Sequence, residues 1–183
     1  MKPTVFTRTN PVYPQRLQDR LGQQAPTTLT ALGNVALLSQ RKTALFCSVR
    51  CPGDAILGAY DAARKLRDEG VTVVSGFHSS VEKECLRILL RGKQPIIICL
   101  ARALEKIRLP ADCRSAVEAG RLLFISPFEK RPRRPTKESS QRRNEIVAAL
   151  PDEVLIIHAT PGGQIEQISR LADRWRIPAA KLQ

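Results

Sequence analysis

The sequence predicts an α/β protein, a three-layer sandwich in which helices cover both faces of a mostly parallel sheet, with a short N-terminal cap segment. From residue 43 onward, short apolar runs alternate with longer amphipathic segments. This is the order expected for strands joined by crossover helices. The runs are apolar at almost every position, which is typical of strands that are buried on both faces.

Residues 1–42 are less regular, and we expect them to form a cap packed on a core domain that spans 43–183. Four prolines divide this segment into short pieces. A helix is predicted at Gln15–Leu21, and a strand is predicted at Thr28–Leu32, just before the turn residues Gly33 and Asn34. A chain of 183 residues is long enough to bury one such core.

The core is predicted to contain six strands. They are Thr43–Val49, Val71–Val74, Pro95–Leu100, Arg121–Ile125, Val154–Ala159 and an edge strand at Ile177–Leu182. Helices are predicted between them at Asp54–Glu69, after Ser79 or Ser80 as far as Arg91, at Asp112–Ala119, at Arg142–Leu150 and at Gln164–Arg176. In the second helix either serine can be the N-cap, and Glu82 lies in the first turn, where the helix dipole favours an acid.

One segment, Ser126–Ser140, interrupts the alternation and is predicted to be an exposed basic loop. Its three prolines exclude a regular element. Its arginines are Arg131, Arg133 and Arg134, and Arg142 and Arg143 continue the basic tract into the next helix. A solvated linker is the ordinary interpretation of such a run, and the continuation into the helix favours a binding surface.

The net charge points to a polyanionic partner. The chain has 30 Lys and Arg against 17 Asp and Glu, which gives a net charge of +13. Such an excess attracts polyanions, and nucleic acid is the commonest partner of a strongly basic domain. An acidic membrane surface, or a basic face that serves only solubility, stays open at this point.

The N-terminal residues and the cysteines indicate where the protein acts. No apolar run has the length of a membrane span, and the first residues, MKPTVFTRTNP, lack the apolar region of a signal peptide. We therefore expect a cytoplasmic protein with no membrane association. Its five cysteines are odd in number and lie mostly in apolar segments, so they are interpreted as reduced core residues rather than as a metal site.

Three predicted junctions between a strand and a helix lie at the same end of the sheet, and each offers free backbone N–H groups to a phosphate. They are Ser48–Gly53, Ser75–Ser80 and Thr160–Gln164. The expected phosphate-binding residues are Ser48, Gly53, Ser79, Ser80, Gly162 and Gly163. Arg50 and Arg143 are the cations best placed to join them. Neither the dinucleotide-binding nor the P-loop glycine pattern is present.

The junctions lack a catalytic constellation. A serine beside His78 has no evident third partner, so His78 is interpreted as a loop residue that contacts a ligand. His158 is predicted to lie at a strand end near the same cleft. Phe77 has two interpretations, stacking on a nucleobase or packing against the following helix. We expect neither an enzyme nor a bound cofactor.

Several short motifs occur in an order that resembles a known family. Tyr13-Pro14, Leu17, Pro26, Leu29 and Gly33-Asn34 come first, and Ser48-Val49-Arg50 takes the place of a G-S-R motif. Residues 75–82 take the place of S-G-x-A-x-G-I-D, residues 143–148 that of R-N-R-I-I-A, and Gly162-Gly163 that of an S-G-S turn. The chain therefore resembles the DNA-processing protein A family, DprA or Smf, whose core is Rossmann-like. It departs from the family pattern at Ser48, at Ser80-Val81-Glu82, at Cys85-Leu86 and at Glu145.

The resemblance implies a non-catalytic protein that binds single-stranded DNA in DNA processing, recombination or uptake. It leaves open a recombinase partner and a homodimer, and no winged-helix domain is expected after the core. The implied DNA contacts are Arg50, Ser75, Gly76, Arg143 and Asn144. Phe77, His78, Lys93, Arg131, Arg133, Arg134 and Arg142 are added from their position or charge.

Two alternatives within the same superfamily stay open. One is a SLOG-like sensor of a nucleotide-derived ligand. The other is a LOG-like phosphoribohydrolase acting on nucleoside monophosphates, whose signature begins P-G-G. Pro161-Gly162-Gly163 matches that start, but Glu166 falls too early to continue it.

Overall fold

A computed structural model describes residues 2–105 and 107–182, and in these residues eight strands form one sheet. The strands are β1 (Thr4–Thr7), β2 (Thr28–Gly33), β3 (Lys42–Cys47), β4 (Thr72–Ser75), β5 (Ile96–Cys99), β6 (Leu122–Ser126), β7 (Glu153–His158) and β8 (Ala179–Lys181). The α-helices are α1 (Gln15–Leu21), α2 (Gly53–Asp68), α3 (Ser80–Leu90), α4 (Ala111–Glu118), α5 (Lys137–Ala149) and α6 (Gln164–Arg174).

The helices form two layers, one on each face of the sheet. One apolar core joins α1, α5 and α6 to one face, and a second core joins α2, α3 and α4 to the other. The strand residues between them are almost all buried, because both faces of each central strand are covered. The predicted three-layer α/β fold is confirmed.

The strand order is β1-β2-β6-β5-β4-β3-β7-β8. From β3 the chain first adds strands on one side, through β4, β5 and β6, and later adds β7 and β8 on the other side, all of them parallel. The direction of winding therefore reverses between β3 and β7. In open α/β sheets this reversal leaves a crevice beyond the carboxyl ends of the two strands, where ligands bind.

The N-terminal segment contributes two strands to this same sheet. β2 pairs antiparallel with β6, the last strand of the parallel part of the sheet, and β1 pairs antiparallel with β2. The sequence predicted β2 but not β1. Of the four residues of β1, only Phe6 is buried. The boundary between cap and core at residue 42 stays a prediction.

The limits of two elements near the carboxyl ends of the strands differ from the predicted ones. β3 ends at Cys47 rather than Val49, and α5 begins at Lys137, five residues before the predicted start. Thr136 caps α5, because its side chain accepts a hydrogen bond from the Ser139 N–H at 3.1 Å and its own N–H donates to Ser139 Oγ at 2.8 Å. The predicted loop Ser126–Ser140 is therefore shorter and ends in a capping box.

None of the helices among the described residues combines the length and apolar character that a membrane crossing requires.

Two turns from helix to strand each contain one residue in the left-handed conformation, which is a glycine in one turn and an arginine in the other. After α2, Gly70 has a φ of 72°, and the Val71 N–H donates to the Leu66 carbonyl at 3.0 Å. After α6, Arg176 has a φ of 54°, and the Ile177 N–H donates to the Ala172 carbonyl at 2.9 Å. Glycine adopts this conformation without strain, whereas a residue with a Cβ does so at a cost.

This pair of turns predicts substitutions of opposite sign. Gly70→Ala should lower the free energy of unfolding by about 1 kcal/mol, because the left-handed conformation crowds a Cβ. Arg176→Gly should raise the free energy of unfolding, because it removes that strain. Thermal unfolding should show shifts of about 2–4 °C in opposite directions. Gly53→Ala, at the start of α2 where φ is not left-handed, is the neutral control. Shifts of the same sign at residues 70 and 176 would contradict this account.

Candidate nucleic-acid interface

A pocket of about 330 Å³ lies where the strand order reverses, beyond the carboxyl ends of β3 and β7. The loops that follow β3, β4 and β7 form its walls, together with the first turns of α3 and α6 and the face of α5 that carries Arg143. Its lining residues are Cys47, Ser48, Val49, Arg50, His78, Ser79, Glu82, Ser140, Arg143, Asn144, Thr160, Gly163, Gln164 and Ile165. All three predicted junctions therefore meet in one place.

Arg143 is the central cation of this pocket. Its side chain is buried, with the residue only 5% exposed. Its Nε–H donates to Asn144 Oδ1 at 2.7 Å, and within residues 2–105 and 107–182 the guanidinium forms no ion pair. Burial lowers the pKa of Arg143, although a guanidinium stays charged at any physiological pH. A buried cation without an acidic partner costs stability, and an anion at the pocket wall would offset that cost.

The backbone at Gly76 lies directly against the Arg143 guanidinium. A Cβ at position 76 would lie 2.1 Å from Arg143 Nη1, so a side chain there requires the arginine to move. Glycine at this position thus allows the close approach of the chain to the guanidinium, whereas its backbone dihedral angles do not require it. The structure thus brings together two residues that the sequence analysis singled out separately.

The Glu82 carboxylate fixes the wall that β3 and the loop after β4 share. It accepts hydrogen bonds from the Cys47 N–H at 3.0 Å, the His78 N–H at 2.7 Å and the Ser79 N–H at 3.1 Å. Ser79 is the N-cap of α3, and its Oγ accepts from the Glu82 N–H at 3.2 Å. The sequence analysis placed Glu82 near the helix dipole but missed its link to β3. The S-x-x-E pattern signals the capping box between Ser79 and Glu82 but not the hydrogen bond from Cys47.

The loop after β7 forms the opposite wall. The Thr160 N–H donates to Ser48 Oγ at 2.9 Å, and the Ser48 N–H donates to the His158 carbonyl at 2.9 Å. Gly163 is the N-cap of α6, and no side chain among the described residues caps this helix. Its first N–H groups are therefore available to an anion, with the positive end of the helix dipole behind them.

Asn144 and Gln164 connect the Arg143 side to this helix. Asn144 accepts from Arg143 and donates through Nδ2 to Gln164 Oε1 at 3.2 Å. Gly162, which the sequence analysis expected to bind phosphate, donates its N–H to the Glu166 carboxylate at 3.0 Å. Gly163 lies at the pocket wall, but the N–H groups of both glycines are already occupied, because the Gly163 N–H donates to the Thr160 carbonyl at 2.9 Å.

Arg50, His78 and Val49 form the exposed rim of the pocket. The Arg50 carbonyl accepts from Thr160 Oγ1 at 3.4 Å, which anchors the loop while the side chain stays exposed. Partial desolvation of the His78 ring lowers its pKa, and the charge of Arg143 lowers it further. Val49 is 77% exposed, an unusual position for an aliphatic side chain beside two arginines.

Ser75, the last residue of β4, and Phe77, in the loop after it, lie in the interior. Ser75 is fully buried, and its Oγ accepts from the Phe77 N–H at 3.2 Å. Phe77 has a φ of 45° and packs in the same apolar core as Val81 and Cys85. Of the two interpretations of Phe77, the structure shows packing against the helix, and neither side chain lines the pocket.

Two predicted DNA-binding cations also lie away from the pocket. Lys93 precedes β5 and is therefore at the amino edge of the sheet, opposite to the pocket. Arg142 is next to Arg143 in sequence, but its guanidinium donates to the Gln24 carbonyl and to the Glu145 carboxylate, the latter at 3.1 Å. Arg142 thus connects α5 to the N-terminal segment.

The remaining predicted residues lie at the carboxyl edge of the sheet but do not line the pocket. Gly53 and Ser80 are exposed at the starts of α2 and α3. Arg131, Arg133 and Arg134 are exposed on the loop that follows β6. The Ala103 N–H donates to the Pro132 carbonyl at 2.9 Å, which holds this basic loop against the loop after β5.

The described residues contain no group of three or more His, Cys, Asp or Glu side chains able to hold a metal ion. Four of the five cysteines are buried. Burial raises the pKa of Cys85 and Cys99 to about 12 and that of Cys113 to about 11. These thiols are therefore protonated and chemically inert at neutral pH.

Comparison with solved structures finds close similarity of fold. The DNA processing protein A of Streptococcus pneumoniae matches with a TM-score of 0.81 at 21% identity, over 100% of this chain and 64% of that one. The chain thus spans 64% of the length of that relative. The DNA processing protein A of Helicobacter pylori, described for its unique single-stranded DNA binding mode, matches with a TM-score of 0.77 at 24% identity, over 100% of this chain and 81% of that one.

A more distant structure shares the general fold. The molybdenum cofactor carrier protein of Chlamydomonas reinhardtii matches with a TM-score of 0.51 at 12% identity, over 78% of this chain and 76% of that one. A comparison with curated protein sequences finds no match.

A match of the amino-acid sequence to a family model, rather than the similarity of fold, identifies the family. The family model of DNA recombination-mediator protein A matches residues 4–170, which include every junction of the pocket and the basic loop. The family resemblance predicted from the sequence is therefore confirmed. The chain belongs to the DNA recombination-mediator protein A family.

Proposed function

We propose that this protein binds single-stranded DNA, with one phosphate of the strand held between the Arg143 guanidinium and the first turn of α6, and that it performs no chemistry of its own. The observation that carries the proposal is the buried guanidinium of Arg143, which lines the pocket without an acidic partner among the described residues. The relative from Helicobacter pylori, which is described as binding single-stranded DNA, supports the choice of ligand.

The same edge of the sheet offers further contacts to a longer strand. Arg50 stands on the rim, and Arg131, Arg133 and Arg134 are exposed on the basic loop. A strand that leaves the pocket along this edge meets one cation after another. Because each neutralised phosphate releases counterions, the affinity should fall steeply as the salt concentration rises. A recombinase partner, a homodimer and a cytoplasmic location stay predictions.

The carboxylates near the pocket do not favour hydrolysis of a nucleotide. Glu82 is the only acidic residue among the lining residues of the described chain, and three backbone N–H groups already occupy its oxygens. Glu166 accepts from the Gly162 N–H and pairs with Arg170 at 3.2 Å. A phosphoribohydrolase needs a carboxylate that is free to reach its substrate. We therefore prefer strand binding to the enzyme alternative.

The contrast between two adjacent arginines tests the proposal. Arg143→Gln should weaken binding of an oligothymidylate by about tenfold or more, because a charge-assisted hydrogen bond to phosphate is lost. Arg142→Gln should change the affinity by less than about twofold, because its guanidinium points to Gln24 and Glu145. Fluorescence anisotropy with a labelled oligonucleotide measures both, and circular dichroism checks the fold. An equal loss in the two variants would show that only total charge matters.

The exposed Val49 predicts that the pocket contacts a base as well as a phosphate. Val49→Ser should weaken oligothymidylate binding by about fivefold, because the contact of two methyl groups with the base is lost. The variant should bind an abasic strand of equal length as tightly as the wild type does. Leu57→Ser is the matched control, since Leu57 is 68% exposed but does not line the pocket.

These measurements distinguish failure of the proposed base contact from failure of the proposed function. If Val49→Ser weakens binding of both strands equally, the base contact is refuted while phosphate binding stands. If the wild type binds neither strand, the proposed function itself fails.

His78 predicts a dependence on pH. In the free protein its pKa lies below 6.5, because desolvation and Arg143 disfavour the charged ring. A bound phosphate offsets the charge of Arg143, so the pKa of His78 should rise in the complex. The complex then takes up protons, and the affinity increases as the pH falls through the pKa of the complex. NMR titration of the ring protons measures this directly, because the chain has only two histidines. A pKa of His78 that does not move on addition of DNA would place the phosphate elsewhere.

A further inference from the structure

A second cavity lies at the amino edge of the sheet, on the opposite side from the nucleic-acid interface. It has a volume of about 540 Å³, larger than the pocket at the carboxyl edge. The start of α1, the turn at 35–39 and the end of α5 enclose it. Its apolar walls are formed by Pro11, Val12, Tyr13, Val35, Leu38 and Leu150. Cavities of this size that are mostly apolar and contain a few polar groups are the usual form of a small-molecule site.

The lysine at the start of β3 is the unusual polar group of this cavity. Lys42 lines the cavity and is only 3% exposed. Its Nζ donates to the Leu38 carbonyl at 3.0 Å. An ammonium group has three N–H donors, and the described residues supply this one acceptor. A buried lysine of this kind lacks a counter-ion of its own.

The neighbouring charges leave the cavity positive. Arg16 pairs with Asp152 at 2.7 Å, and the Lys42 backbone N–H donates to the same carboxylate at 2.9 Å. Arg20 donates to the Ala149 and Pro151 carbonyls at 3.0 and 2.7 Å. Of these three cationic side chains, only that of Arg16 contacts the Asp152 carboxylate, because Lys42 reaches it through its backbone N–H.

We propose that this cavity binds a small monocarboxylate with an apolar body, whose carboxylate pairs with the Lys42 ammonium while its body fills the space between Val35, Leu38 and Leu150. The charge of the site selects an anion, and its apolar walls select against inorganic phosphate and other fully hydrated ions. The cavity is separated from the nucleic-acid interface by the length of the sheet, so the two proposals do not depend on each other.

Binding of such an acid is linked to the protonation of Lys42. The pKa of Lys42 is lowered to about 8, chiefly by burial; Asp152 opposes this shift, and Arg16 and Arg20 contribute to it. A bound carboxylate favours the ammonium form, so the complex holds the proton to higher pH than the free protein does. The affinity for the acid should therefore fall as the pH rises above about 8.

Matched probes test the proposal on the full chain. Hexanoate and 3-phenylpropionate are compared with hexanol and 3-phenylpropanol, which have the same apolar bodies without the charge. Calorimetry should show binding of the acids at least about tenfold tighter than that of the alcohols, and amide NMR shifts should cluster at Val35, Leu38 and Lys42. Lys42→Met keeps the apolar stem and should remove the preference for acids. It should leave oligothymidylate binding unchanged, because Lys42 lies at the other edge of the sheet.

Three results would overturn the proposal: acids that bind no tighter than the alcohols, an affinity that does not depend on pH across the titration of Lys42, or NMR shifts that lie elsewhere. If Lys42→Met does not fold, the comparison of acid with alcohol and the pH dependence in the wild type still decide the question.

Discussion

The carboxylate of Glu82 holds the functional end of this molecule together. It is buried, and it accepts three backbone N–H groups from two segments that are distant in sequence, the end of β3 and the loop after β4. A buried carboxylate is stable only when such donors surround it. Because Glu82 is also the third residue of α3, it fixes the helix, the loop and the strand relative to one another. The backbone at Gly76 is thereby brought to the position where Arg143 can lie against it.

Arg143 presents the opposite case, a buried charge that the fold leaves incompletely satisfied. Asn144 accepts one hydrogen bond from it, and burial lowers its pKa. A buried guanidinium without a carboxylate partner costs stability, and a phosphate in the pocket would recover that cost on binding. Glu82 and Arg143 therefore divide the work at the pocket. The Glu82 carboxylate is saturated by backbone donors and fixes the walls of the pocket, whereas the Arg143 guanidinium keeps donors that a ligand could use.

The sequence predicted most of the fold and the three junctions that meet at the pocket, because both follow from local patterns. Continuous apolar runs define buried strands, and small residues after them define the junctions. What the sequence analysis missed depends on rotation about a helix and on pairing between distant segments. Arg142 and Arg143 are adjacent, but only Arg143 shares the inward face of α5 with Ile146, Val147 and Leu150. The spacing of the apolar residues along α5 predicts that distinction, because residues three and four positions apart lie on one face of a helix.

Other differences had no signal in the local sequence. Lys93 was predicted to bind DNA because of its charge. It precedes β5, however, and residues that precede parallel strands lie at the amino edge of the sheet. The partner of Arg142, Gln24, is 118 residues away, and the link from Glu82 to Cys47 spans 35 residues. Contacts of this kind follow from the order of strands in the sheet.

The positive charge of the protein therefore matters through its distribution rather than its total. At the outer faces of the helices, several arginines are paired with acids on their own element, as in Arg64 with Asp61 and Arg87 with Glu84. In the described part of the chain, the arginines of the rim and the basic loop at the carboxyl edge have no such partners. Exposed pairs of opposite charge cancel one another beyond a Debye length. The unpaired cations thus dominate the field beyond the pocket, and this field would direct a polyanion to the edge that carries Arg143.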